Sequence, residues 1–128
     1  MITLGILKRL EDNGLGTIDE NLFWEKLTLD KVGVYITSIG NNRTRGQRRV
    51  QSFTIYSRGA NDVSGYKKLK QIINFLNSSY EACTLPAVPP IYTEPIQNVT
   101  IMPLGTIENA GLDSHDRIVW SVTGEIIY

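Results

Sequence analysis

Apolar side chains recur along this chain with two different periods, one helical and one alternating. Ile2, Ile6, Leu7 and Leu10 keep the helical spacing and are followed by Glu11-Asp12 and the breaker Asn13-Gly14, so a short amphipathic helix is predicted over residues 2 to 12. Residues 13 to 30 read as irregular around an apolar knot at Leu22, Phe23, Trp24 and Leu27. Val32, Val34 and Ile36 then alternate with Gly33, Tyr35 and Thr37, the pattern of a strand with one face inward. The segment Gly40 to Arg49 is too polar for a core, and Val50 to Arg58 returns to β-branched and aromatic residues, so the pair reads as a hairpin with a long basic tip. Phe53 and Ile55 share one face of its second strand; Ser52, Thr54 and Tyr56 share the other, wetter one.

After Gly59-Ala60, Asn61 or Asp62 offers an N-cap to a stripe of Tyr66, Leu69, Ile72, Ile73, Leu76 and Tyr80, which predicts a helix over about residues 62–79. Pro86, Pro89, Pro90 and Pro95 exclude a helix from residues 81 to 95, leaving an extended crossing or loop. Two late strands are expected at Ile96 to Met102 and Arg117 to Tyr128, with a turn-rich connection from Gly105 to Asp116 between them. The element string predicts one α+β domain over residues 1–128: about four strands in an antiparallel or mixed sheet, the long helix packed on one face, and the short N-terminal helix beside it. A barrel-like sandwich is disfavoured, because helix 62–79 needs a sheet face to cover it.

At 128 residues the chain is long enough to bury roughly two-thirds of the surface it exposes when unfolded, so one core needs no staples. Its single cysteine, Cys83, cannot close an internal disulfide, and the opening Met-Ile-Thr-Leu-Gly-Ile-Leu has no basic n-region; synthesis in a reducing cytoplasm is expected. No apolar run approaches the ~20 residues that span a bilayer, and no membrane association is expected.

Charge changes the picture most. Residues 31 to 80 carry nine Lys or Arg against Asp62 alone, a balance of +8, while residues 1 to 30 stand at −3 and residues 81 to 128 at −5, within a chain of zero net charge. A neutral chain with its signs so separated can offer a positive surface to a negative one on another copy or on a partner. The arginines of the predicted hairpin, Arg43, Arg45, Arg48 and Arg49, fit a solvated loop or an acidic protein surface about equally, and nucleic-acid phosphates less well. Against the last, the acidic remainder repels a phosphate backbone, and residues 37 to 52 hold no stacking aromatic. Among the aromatics, Trp24, Trp120, Tyr66 and Tyr80 sit on apolar periodic faces and are assigned to the core. Tyr35, Tyr56 and Tyr128 are assigned to partner contact, where amphipathic aromatics are enriched.

Catalytic signatures are not found. The lone histidine, His115, stands in Ser114-His115-Asp116, and consecutive residues project in different directions and cannot relay a proton. One Cys and one His fall short of a zinc set, and Cys83 has no basic cluster adjacent in sequence to activate it. No phosphate-cradling motif occurs, and Asn13-Gly14-Leu15-Gly16 follows a helix where a dinucleotide fingerprint follows a strand. No catalytic residue, cofactor or metal site is expected.

The order of elements, and above all the strand Arg49-Val50-Gln51-Ser52-Phe53-Thr54-Ile55-Tyr56-Ser57-Arg58-Gly59 followed by Tyr66-Lys67-Lys68-Leu69-Lys70-Gln71-Ile72-Ile73-Asn74-Phe75-Leu76, resembles the small tail-terminator (tail-completion, or minor capsid) proteins of long-tailed bacteriophages. The resemblance implies a structural protein of the virion without chemistry. Such a protein forms a homo-hexameric ring on the finished tail tube, ends tube polymerisation and presents a docking surface to the head–tail connector. It puts Arg43, Arg45, Arg48, Arg49, Arg58 and Tyr56 at contacts with a neighbouring subunit, the tube protein or the connector protein. Another neck or head-completion component is the alternative within assembly, and a small nucleic-acid-binding module using hairpin 40–49 the alternative outside it. The Pro-rich segment 86–95 and the connection 105–116 have no counterpart in the resemblance.

Overall fold

A computed structural model describes residues 2–25, 31–78 and 83–128. In chain order it has α1 (Ile2–Asp12), β1 (Leu22–Trp24), β2 (Gly33–Arg45), β3 (Arg48–Arg58), α2 (Asp62–Asn77), β4 (Cys83–Leu85), β5 (Ile96–Ile101), β6 (Glu108–Leu112) and β7 (Ile118–Ile127). The strands form one sheet in the order β1-β2-β3-β7-β5-β4, with β6 also pairing β7. All pairings are antiparallel except β1 with β2.

Both helices end as their sequences direct. Gly14 takes the left-handed conformation after α1, and its N–H bonds Glu11 O while that of Leu15 bonds Leu10 O, the paired closure of a Schellman motif. At the start of α2 the Asn61 side chain accepts from Ser64 N–H and the Ser64 hydroxyl accepts from Asn61 N–H, a reciprocal capping box. The buried faces of both helices, with Ile6, Leu7 and Leu10 from α1 and Leu69, Ile72, Ile73 and Leu76 from α2, join Phe53, Ile55 and Val122 in one core.

The expected α+β domain with about four strands is incorrect: the chain is mostly sheet, 45% strand against 23% helix, and the sheet curls into a half-barrel. Helix α1 touches β1 and β2 at one end of the strand order and β4 at the other, so the sheet bends until both edges meet the same helix. Gly5 makes that meeting possible, since a methyl there would overlap the Tyr92 hydroxyl and lie 3.0 Å from Leu85 Cδ1. Helix α2 therefore finds its sheet face inside a curved sheet, and its need for cover did not argue against barrel-like closure. Three strands went unforeseen because each is too short to display an alternation: β1 within the irregular segment, β4 in the Pro-rich crossing, and β6 in the turn-rich connection. The expected helix end at residue 79, Leu27 of the apolar knot, and Tyr80 lie outside the described residues.

The basic hairpin tip is likewise a ladder and not a loop. Strands β2 and β3 remain paired to Arg45↔Arg48, and the two residues between them turn on Gly46 at φ 64°, the positive φ that two-residue hairpin turns demand. The register slips between Ile39 and Arg43, and the Gln51 side-chain amide fills the bulge by donating to Ile39 O and Gly40 O.

Candidate assembly surface

The helices cover the inner face of the sheet, where Phe53 and Ile55 point. Alternation and register put Tyr35, Thr37, Ile39, Ser52, Thr54, Tyr56, Thr123 and Glu125 on the outer face, together with Arg43, Arg45 and Arg48; Arg49, opposite Thr44, faces the other way.

All seven residues from Arg43 to Arg49 are exposed, but their arginines are not equivalent. Arg43 pairs with Glu125 across the sheet and donates to Ser52 Oγ at 3.3 Å. Arg48 donates to Ile127 O at 3.2 Å and to Asn98 O, tying the hairpin to β7 and β5. The Arg49 backbone exchanges two hydrogen bonds with Tyr128, at 2.7 and 2.8 Å, so the turn is anchored up to its last residues. The guanidinium groups of Arg45 and Arg49 make no ion pair or hydrogen bond among the described residues. The hairpin end is thus a braced platform carrying two unengaged cations.

Arg58 is elsewhere. It is only 7% exposed, its Nε lies 2.9 Å from Asp113 Oδ2, and its guanidinium stacks 5.6 Å from the centre of the Tyr35 ring. Expected, like the hairpin arginines, at a contact, Arg58 is instead enclosed within the subunit, and its charge is taken up by Asp113. Tyr56 is half-buried on the outer face, opposite Tyr35 and Ser121.

The aromatic assignments partly exchange places. Tyr35, expected at a contact, is 3% exposed because the outer face is covered at this end: Phe23 stacks on it at 4.8 Å, and its hydroxyl donates to Lys31 O. Tyr66, expected in the core, is 42% exposed, and its ring meets Trp120 edge-on at 5.2 Å. Trp24 and Trp120 are half-buried against the core, and Tyr128 is half-buried at the chain end.

Asp113 organises the turn between β6 and β7. Its Oδ1 accepts from the N–H groups of His115 and Arg117, and its Oδ2 contacts Arg58 and Arg117 at 2.9 and 2.8 Å. Desolvation pushes this carboxyl up, but the Arg117 and His115 N–H groups and the Arg117 guanidinium outweigh it and bring its pKa down to about 2. His115 is exposed, with Nδ1 3.2 Å from Ser114 Oγ. Cys83 is buried, and desolvation raises its thiol pKa against a smaller opposing pull from Arg9, so it is not poised as a thiolate.

On the outer face beside the hairpin, an open cleft of about 420 Å³ is lined by Ile39, Ser52, Met102, Pro103, Thr123 and Glu125. Its only carboxylate is already paired with Arg43, so the cleft presents no acid–base couple. Among the described residues no group of three His, Cys, Asp or Glu is placed to hold a metal, and no helix is long and apolar enough to cross a membrane.

Sequence reasoning passed over a second exposed region. At the opposite end from the hairpin, Val63 (62% exposed) and Tyr66 of α2 stand beside Trp120, with Ile118 and its cross-strand partner Leu112 (63% exposed) next to them. Ile118 N–H donates to Asp62 Oδ1 and Trp120 Nε1–H to Asp62 O, which fixes the helix start on β7. A usable signal was Val63, an aliphatic residue at the solvent angle of the α2 stripe.

No protein-family model matches this chain, and no curated protein matches it in sequence.

Proposed function

We propose that this protein is a structural assembly subunit of the tail-terminator kind, which closes into a homo-hexameric ring on a phage tail tube, ends tube growth and offers its outer surface to the head–tail connector. One observation carries the reading. A β-hairpin, braced by Arg43 and Arg48 within its own molecule, holds Arg45 and Arg49 at its end with no intramolecular counter-charge among the described residues. A hydrogen-bonded ladder loses little backbone freedom on docking, and its guanidinium groups can grip carboxylates in pairs, which sets orientation as well as attraction.

The test uses the full chain. Wild-type protein, followed by light scattering over a concentration series and by electron microscopy, is expected to form closed rings. Arg45→Glu with Arg49→Glu is expected to stay folded, with unchanged melting, yet to associate at least about tenfold more weakly, as opposed charges turned alike cost several kcal/mol. In infected cells, tails that overgrow or fail to join heads should accumulate. A wild type that stays monomeric throughout, or that binds DNA tightly at physiological salt and loses only that binding on reversal, sinks the reading.

A further inference from the structure

The exposed apolar region opposite the hairpin calls for an occupant. Val63, Tyr66, Leu112 and Trp120 come from three elements that converge at this end: the Tyr66 ring meets Trp120, Val63 lies one turn before Tyr66 on α2, and Leu112 pairs with Ile118, two residues from Trp120 on β7. Aliphatic and aromatic groups gathered on a surface in this way mark a contact site, and Tyr and Trp are the residues that most often dominate one. Two acids near them, Asp62 at the start of α2 and Asp116 in the β6–β7 turn, are exposed. The cation in that turn, Arg117, is committed to Asp113, and Lys67 stands one turn further along α2.

The hairpin end has the complementary make-up. Arg45 and Arg49 carry unengaged positive charge among the described residues, and Ile39 and Met102 leave apolar surface exposed further along the outer face. The two regions lie at opposite ends of the same strands: Trp120 pairs with Ser57 at one end of β3, and Arg48 begins its other end. Nine residues of strand separate them by roughly 30 Å at about 3.3 Å per residue. A chain cannot therefore fold its own arginines onto its own acidic rim, and the match is available only between copies.

We infer that the Val63–Tyr66–Leu112–Trp120 surface is the seat that receives the arginine-bearing hairpin end of a second copy of this chain. The contact is head-to-tail, so each copy spends one seat and one hairpin and repetition generates a ring or a filament. The inference rests on the ring reading above and specifies which two surfaces meet.

Two broken variants provide the test. Val63→Lys with Leu112→Lys spoils the seat and leaves the hairpin intact; Arg45→Glu with Arg49→Glu spoils the hairpin and leaves the seat intact. All four positions are exposed, and both variants are expected to melt within a few degrees of the wild type. Each alone should be monomeric where the wild type assembles. Mixed in equal amounts they should form a dimer and stop there, because only one sound hairpin and one sound seat remain to meet. If the seat variant assembles as the wild type does, or if the mixture yields no dimer, the inference is overturned while the ring reading stands. If the seat variant still forms rings but fails to cap tubes, the seat belongs to the tube or connector protein, which also overturns it. A wild type that never assembles ends both.

Discussion

Single residues in this molecule matter through what surrounds them more than through their type. Arg45 and Arg58 are both basic side chains of one hairpin, yet the first ends in solvent and the second lies between the Tyr35 ring and the Asp113 carboxylate. Asp113 is the residue on which that difference turns, because Arg58 and Arg117 share its Oδ2 and two N–H groups saturate its Oδ1. Its pKa of about 2 in the folded chain, against an ordinary 3.8, means that the carboxylate contributes stability fully above about pH 4, and that this contribution is lost as pH falls through the folded value. Asp113→Asn keeps the shape but leaves the buried Arg58 without a counter-charge, so it should lower the melting temperature at pH 7. The gap from the wild type should narrow as pH drops from about 4 toward 2. Melting curves across that range check this, and parallel pH profiles for the two proteins would refute it. Gly124 is a second such position, since a Cβ there would lie 2.8 Å from Phe53 Cζ and 2.9 Å from Leu104 Cδ2; the core ring occupies the space a side chain would need.

At the scale of elements, α2 separates what periodicity reveals from what it hides. The apolar stripe located the helix, and Leu69, Ile72, Ile73 and Leu76 are buried as the spacing implies. Tyr66 belongs to the same stripe but sits one turn from the helix start, where it is 42% exposed and its ring meets Trp120 edge-on. Leu69→Ala should therefore cost about 2–5 kcal/mol by leaving a cavity, whereas Tyr66→Ala should cost less than about 1.5 kcal/mol. Equal losses in denaturant titrations would show that the two share one environment. The strands divide in the same way. Long β3 and β7 showed alternation, but β1, β4 and β6 are held by neighbours distant in sequence, and three to five residues carry no period. The hairpin misled for a different reason: Asn, Arg and Gly look like loop residues, yet here the ladder with β3 and the Gln51-filled bulge organise them. The candidate surface was legible to the extent that Arg43, Arg45, Arg48 and Arg49 are exposed together. Its apolar counterpart was not, because Val63, Leu112 and Trp120 meet only through the curl of the sheet and the docking of α2.

For the whole molecule, the segregation of sign along the sequence survives in space chiefly as the arginines of the hairpin end. The hairpin returns four arginines to one end of β3; at the other end Asp62 and Asp116 are exposed, while Asp113 is taken up by Arg58 and Arg117. Net charge stays at zero, so copies carry no net repulsion at long range, and on the head-to-tail reading the attraction between them comes from Arg45 and Arg49 meeting the exposed Asp62 and Asp116. Such steering acts between exposed groups and is screened over about 10 Å at 0.1 M salt and about 3 Å at 1 M. Association of the wild type should therefore weaken at least about tenfold between 50 mM and 500 mM NaCl, mainly through a slower on-rate. The Val63–Tyr66–Leu112–Trp120 contact, being apolar, should leave dissociation much less affected. Sedimentation across a salt series gives the affinity and stopped-flow light scattering gives the rates. Arg45→Glu with Arg49→Glu should flatten the dependence, since the charges that salt screens in the wild type are no longer opposed. An affinity that holds steady across that range, with oligomers still present, would mean that apolar surface alone joins the copies and that the separation of charge serves some other contact.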